Sequence, residues 1–249
     1  MHTHLKSVFY MGFLIIAFSW SMAKKNQKLL GLLSIVIDTY INKWDPVGSK
    51  FLHSLELTDY APSTIRKYLN ILEKEWLVYQ PYNSSGRLPT VEWLSMYIDE
   101  ILEKKEEPQF DIAFDVDYAR HGLRYVIETL GKVADGAVVG FLRNDEYFFL
   151  WINNLLEHTP MDDMETTKYI VKYIEDKKIV ETLDGKMMKK NQVYYTFIQS
   201  DQHVISAVYT KIHVNWYDSV VSIIWPMRSD YKKNVEVLKK FVQKYNQFN

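Results

Sequence analysis

The sequence predicts an α+β chain, with helices first and then an antiparallel sheet flanked by helices. Three observations carry this. Up to about residue 104 the apolar residues recur at helical spacing in segments cut by Pro and Gly. Beyond Pro108 the apolar runs are of strand length and alternate with helical stretches, and the last strands follow one another as a meander. The 249 residues are 47% hydrophobic and 15% aromatic with no Cys. That is enough apolar material for two cores and excludes disorder, disulfide scaffolds, Cys-ligated zinc and cysteine nucleophiles. A formal net charge of −1 also excludes a wholly basic coat.

Val8 to Trp20 is an apolar run too short to span a bilayer, which needs roughly 20 residues. Its length matches a signal-peptide core, yet Met22-Ala23-Lys24-Lys25 reads like an ordinary start ahead of an amphipathic helix. Residues 1–21 are therefore read as an apolar extension, 22–108 as a first domain and 109–249 as a second. No membrane span is expected.

The spacing predicts a first helix over Lys24–Ile41, ended by Asp45-Pro46. Gly48-Ser49 offers an N-cap for a short helix, Lys50–Leu55. Pro62 suits the first turn of a third helix that runs to about Glu75 and buries Ile65, Leu69 and Leu72. Leu77–Gln80 and Arg87–Pro89 form a short hairpin, and Thr90 caps a helix from Val91 to about Lys104. The charged stretch ending at Pro108 marks the boundary. Then come a helix over Tyr118–Lys132, strands Ala137–Leu142 and Tyr147–Ile152, and a helix over Thr166–Asp176. Strands Val193–Gln199, Val204–Val214 and Ser219–Trp225 follow, with a closing helix Tyr231–Tyr245.

Helix, short helix, helix, hairpin is the order of a winged helix, whose third helix enters the major groove of double-stranded DNA. Ser63, Thr64, Arg66, Lys67 and Tyr68 open that helix with donors and lie off or at the rim of its apolar face. Ser49 and Lys50, at the preceding helix start, are placed for phosphate. Arg87 with Ser84 and Ser85 suits a wing tip against the DNA backbone. From Lys24 to Val91 there are nine Lys and Arg against six Asp and Glu, a local excess of basic charge in a chain of net −1. The same fold also serves as a protein-binding or dimerising module, and basic residues at helix starts are often merely solvated. A regulator whose second domain senses a small molecule, on a different operator, is a further alternative, and all three readings stay open on pattern alone.

The motifs go further. Pro46-Val47-Gly48-Ser49-Lys50, Ser63-Thr64-Ile65-Arg66, Leu72-Glu73 and Gln80-Pro81-Tyr82-Asn83-Ser84-Ser85-Gly86-Arg87-Leu88-Pro89-Thr90 resemble HrcA, the bacterial family of heat-inducible transcription repressors, over about residues 24–102. Pro226 to Tyr231 resembles the family's motif before its last helix, more weakly. Lys67 stands where the family has Asn, Tyr82-Asn83 where it has His-Thr, and Trp76 where it has Gly. The resemblance implies a GAF-like second domain and a dimeric repressor on an inverted-repeat operator of heat-shock chaperone genes. It also implies the GroE chaperonin as folding modulator and a cytoplasmic setting, in which the Asn83-Ser84-Ser85 sequon is accidental. No cofactor is expected.

Other chemistry is weak. Asp115, Asp117, Asp162 and Asp163 lack a calcium-loop Gly, and the seven His show no paired metal spacing, His203 and His213 included. No phosphate loop, dinucleotide fingerprint or nucleophile elbow is present, so an enzyme is not expected. Lys186, Met187-Met188 and Lys189-Lys190 read as a solvated loop, and the aromatic strands read as core rather than as a ligand site. The run Tyr147–Trp151 is apolar on both faces. It is either covered twice within one chain or covered once and completed by a second copy.

Overall fold

The computed structural model describes residues 27–43, 45–104, 122–142, 146–158, 164–184, 186–200, 203–214, 216–227 and 230–246. The apolar run at 8–20, the boundary at Pro108, the start of the helix at Tyr118, the four Asp named above and the Arg228-Ser229 part of the C-terminal motif lie outside the described residues. The chain divides into two compact units, 1–97 and 98–249, with the division inside a helix, α4.

In the first unit α1 (Gln27–Lys43) buries Leu29, Leu32, Leu33, Val36, Ile37 and Tyr40, the stripe its spacing predicts. The short α2 (Ser49–Ser54) and α3 (Pro62–Lys74) pack together through Leu52, Ile65, Leu69 and Leu72. Each such side chain, fully buried, contributes about 1.5–3 kcal/mol. The cap of α2 departs from expectation. Gly48 holds the N-cap without a side-chain bond, and Ser49 is the first helical residue. Strands β1 (Val78–Tyr79) and β2 (Leu88–Pro89) pair antiparallel. Val47 adds to this ribbon by exchanging two backbone hydrogen bonds of 2.9 Å with Arg87. Thr90 caps α4 (Val91–Glu103), its hydroxyl accepting from the Trp93 N–H at 3.2 Å.

The second unit is a five-stranded antiparallel sheet in the order β4-β3-β7-β6-β5. The strands are β3 (Ala137–Leu142), β4 (Tyr147–Leu150), β5 (Val193–Gln199), β6 (Val204–Val214) and β7 (Tyr217–Pro226). Counted within this unit the order is second, first, fifth, fourth, third, a GAF-like sheet. One face takes α5 (Leu123–Gly131) and α9 (Tyr231–Asn246). A Cβ on Gly140 would meet Leu123 and Ile127, and the Tyr231 ring lies against Phe197 and Trp225. The other face takes α7 (Met164–Glu175), where the Tyr147 hydroxyl donates to the Ile174 carbonyl at 2.7 Å.

One expectation is corrected here. The strand expected over Tyr147–Ile152 stops at Leu150, because Trp151 turns the chain at φ 66° and α6 (Ile152–His158) begins. Asn154 holds that turn by donating to the Gly131 and Ala134 carbonyls at 2.9 and 2.8 Å. A further helix, α8 (Lys178–Asp184), follows α7. β4 packs against α5 and reaches α7 through Tyr147, while Phe149 and Trp151 stay more than a third exposed. Cover within one chain is thus incomplete along this run, and the two readings of it stay open.

Candidate nucleic-acid interface

The exposed side of α3 follows from its buried side. With Ile65, Leu69 and Leu72 inward, Ser63, Arg66, Lys67 and Asn70 are exposed, and Thr64 and Tyr68 are half-buried. Tyr68 packs edge-on against Tyr60 with ring centroids 5.4 Å apart, which ties it to the turn before the helix. Pro62 sits in the first turn, and no side chain caps the helix, since the N-cap is Ala61. The first N–H groups of α3 are left without a side-chain acceptor.

A cleft of about 510 Å³ lies between the start of α2, α3 and the wing. Six of the expected residues line it: Ser49, Lys50, Arg66, Ser84, Ser85 and Arg87. Ser63, Thr64, Lys67 and Tyr68 do not line it and lie elsewhere on α3. Lys50 and Arg66 are exposed. Ser49 is 8% exposed and lines the cleft at the start of α2.

Arg87 is the main correction. Its side chain is 12% exposed and turns back onto α3, with Nη2 2.8 Å from Glu73 Oε2 and donating to Asn70 Oδ1 at 3.1 Å. Its Nε is buried without a hydrogen-bond partner. The reason is local: Arg87 bridges Val47 through its backbone, one residue ahead of β2, so it sits at the base of the wing and not at its tip. The tip is Tyr82 to Ser85, closed by the Ser85 N–H donating to the Tyr82 carbonyl at 3.1 Å. Ser84 is exposed there at φ 68°. Gln80 braces the tip from below, its amide donating to the Ser85 carbonyl at 3.0 Å. Gly86 is required by close approach. A Cβ there would fall on the backbone of Pro46 and Val47.

Sequence reasoning missed Asn70, Glu73 and Gln80. Arg66, Asn70 and Glu73 are spaced i, i+4, i+7, so the helical stripe itself holds the signal for the first two. Gln80 belongs to the quoted hairpin motif, at the end of the segment whose pattern reads as strand. Among the described residues no group of three or more His, Asp or Glu is placed to hold a metal ion. Among them no helix is long and apolar enough to cross a membrane.

The class this build defines is a winged helix joined to a GAF-like sheet unit. Comparison with known proteins narrows it. The chain is 36% identical over 87 residues to the heat-inducible transcription repressor HrcA of Brucella canis, covering 35% of this chain and 24% of that protein. It is 36% identical over 83 residues to HrcA of Chelativorans sp., covering 33% and 23%. It is 29% identical over 143 residues to HrcA of Xylella fastidiosa, covering 55% and 40%. The chain is thus HrcA-like, and it spans about a quarter of the length of the first curated relatives it matches. No family profile matches it. A crystal structure described only as that of a hypothetical protein shares the fold, with a TM-score of 0.69 at 14% identity, over 90% of this chain and 98% of the other.

Proposed function

We propose that the protein is a sequence-specific DNA-binding transcriptional repressor of the HrcA kind, acting in the cytoplasm. It would bind an inverted-repeat operator of heat-shock chaperone genes as a homodimer. The observation that carries this reading is the shared cleft. The start of α2, Arg66 and Asn70 of α3 and the wing tip converge on one concave surface, with Lys50 and Arg66 exposed on it. That is the arrangement in which one helix reads base edges while a neighbouring helix start and a wing hold the backbone. In this reading Arg66 and Lys67 contact bases, Thr64 meets a base or phosphate at the helix start, and Lys50 and Ser84 contact phosphate. Arg87 sets the angle between wing and α3 through Glu73 and Asn70. The operator's chaperone context and the GroE chaperonin as folding modulator come from the family resemblance.

The test is a titration of the full chain against an inverted-repeat duplex and a scrambled one at several salt concentrations. Affinity for the specific duplex is expected to fall steeply with salt. The double variant Arg66→Ala, Lys67→Ala should lose about 1–3 kcal/mol per base contact with an unchanged melting temperature. Both residues are exposed and outside the core. A double variant that binds the specific duplex as tightly as the parent removes α3 from the interface. Binding insensitive to salt points to the protein-interaction reading of the fold.

A further inference from the structure

The second unit carries a cavity of about 540 Å³ that DNA binding does not use. The sheet register explains its floor. Tyr194 pairs with Tyr209, Lys211 with Val220, and Val220 with Phe141, so these side chains share one face of four adjacent strands. That is the face of α7. Past α8, residues 186–189 cross it as a roof. The Lys189 N–H donates to the Tyr194 hydroxyl at 3.0 Å, and Lys190 bridges to β6 at Lys211. The segment expected to be a solvated loop keeps Met187, Lys189 and Lys190 exposed, while Lys186 and Met188 are half-buried and line the cavity.

The charges in the chamber are unequally satisfied. Asp218 is held by Lys190 at 2.8 Å, Lys211 at 3.0 Å and His213 at 3.2 Å, which uses up that carboxylate. Among the described residues Lys186 has only neutral partners. Its ammonium donates to the Thr196 hydroxyl at 3.0 Å and lies 5.8 Å from the centre of the Tyr209 ring. The second carboxylate of the lining, Asp184, is exposed and forms no ion pair with it. Burial lowers the Lys186 pKa from the ordinary lysine range. A partly desolvated cation without a counter-ion, beside Phe141, Val220 and Met188, is a place where an anion on an apolar body gains on both counts.

We propose that this cavity binds a small organic anion, a carboxylate carried on an apolar or aromatic body, with Lys186 as its charge partner. The size lies within the roughly 300–1,000 Å³ of small-molecule sites. The Met188 side chain adapts its shape to the body of the ligand. The site stands independently of the proposed DNA binding, because every lining residue belongs to the sheet unit.

The experiment titrates the full chain by calorimetry with benzoate, and with benzamide as its uncharged counterpart. Benzoate is expected to bind saturably and at least tenfold more tightly than benzamide. Lys186→Met should weaken benzoate at least tenfold without lowering the melting temperature, since it removes an unpaired, partly buried charge. Met188→Trp fills the chamber from the roof, away from the sheet, and should abolish binding of both probes. The proposal is overturned by benzoate that does not bind, or that binds no better than benzamide. It is equally overturned if Met188→Trp leaves benzoate binding intact. A Lys186→Met protein that melts lower but keeps its benzoate affinity makes Lys186 a structural residue and overturns it too.

Discussion

Trp76 is one of the described residues that hold a left-handed backbone without being Gly. It stands at φ 59° as the left-handed residue closing α3. The Leu77 N–H donates to Leu72 and the Trp76 N–H to Glu73, at 3.0 and 3.1 Å. This is a Schellman ending, the place for Gly, and Gly is what the HrcA pattern has there. The left-handed conformation costs an ordinary residue about 1–2 kcal/mol. The indole is 72% exposed and returns little packing. Trp76→Gly should therefore stabilise the protein by about 0.5–1 kcal/mol in urea unfolding, the gain trimmed by the entropy Gly adds to the unfolded chain. Loss of stability instead would show that the indole has a packing role. Arg87 argues the opposite way. Its loss leaves Glu73 and Asn70 unpartnered at the base of the wing. Glu73 is 37% exposed, so solvent screening holds the expected cost of Arg87→Ala to about 1–2 kcal/mol. Operator affinity should fall with it. Arg87→Lys should recover little of either, because a single ammonium does not reproduce the guanidinium fork. Full recovery by Lys would mean that charge alone matters there.

At the scale of elements, the wing and the β6–β7 hairpin each depend on one local arrangement. The wing lies so close to the Pro46-Val47 backbone that Gly86 has no room for a Cβ. Gly86→Ala should push the wing off and cost about 1–3 kcal/mol, as overpacking does. A variant with unchanged unfolding free energy would show that the wing shifts freely. In the hairpin, Val214 pairs with Tyr217, and Asp218 gathers Lys190, Lys211 and His213. The hydrogen bond from Lys190 is the largest cause holding the Asp218 carboxyl well below the usual carboxylate range, with Lys211 and His213 adding to it against the effect of burial. Because the folded pKa is depressed, the stabilisation is present above the unfolded value of about 3.9 and is lost as pH falls towards the folded one. Asp218→Asn should thus cost about 1 kcal/mol at pH 7, after discounting for solvent screening, and progressively less in acid. A cost that stays constant from pH 7 to pH 2 would rule out the ion cluster as its source.

For the whole molecule, the prediction concerns assembly. One winged helix covers one half-site, and an inverted repeat mirrors a two-fold axis in the protein. The proposed repressor is therefore expected to sediment as a dimer and to bind the operator as two chains per duplex, with the sheet unit, residues 110–249, holding the pair. Such a dimer separates on warming at a temperature that rises with protein concentration, and operator release should track it. A chain that stays monomeric yet protects both half-sites cooperatively would refute this assembly.

By itself the sequence determined which segments become helix or strand wherever local chemistry suffices. Regular apolar spacing placed α1, α3, α4 and β6 within a few residues, and the Asp45-Pro46 break, Pro62 and Thr90 marked ends of the three helices. It also carried the motif that makes the chain HrcA-like. What it left undecided depends on partners distant along the chain. Trp151 ends β4 because Asn154 finds carbonyls at Gly131 and Ala134, some twenty residues earlier. Arg87 turns inward because folding brings Glu73 and Asn70 beneath it, though its spacing alone suits a wing tip. Lys186 reads as one more solvated lysine until the sheet register sets Thr196 and the Tyr209 ring under it. Local pattern determines an element, because the free energy of a helical stripe or a turn lies mostly within a few residues. The direction a long polar side chain takes depends on which groups the fold brings within reach, and only the tertiary structure supplies those.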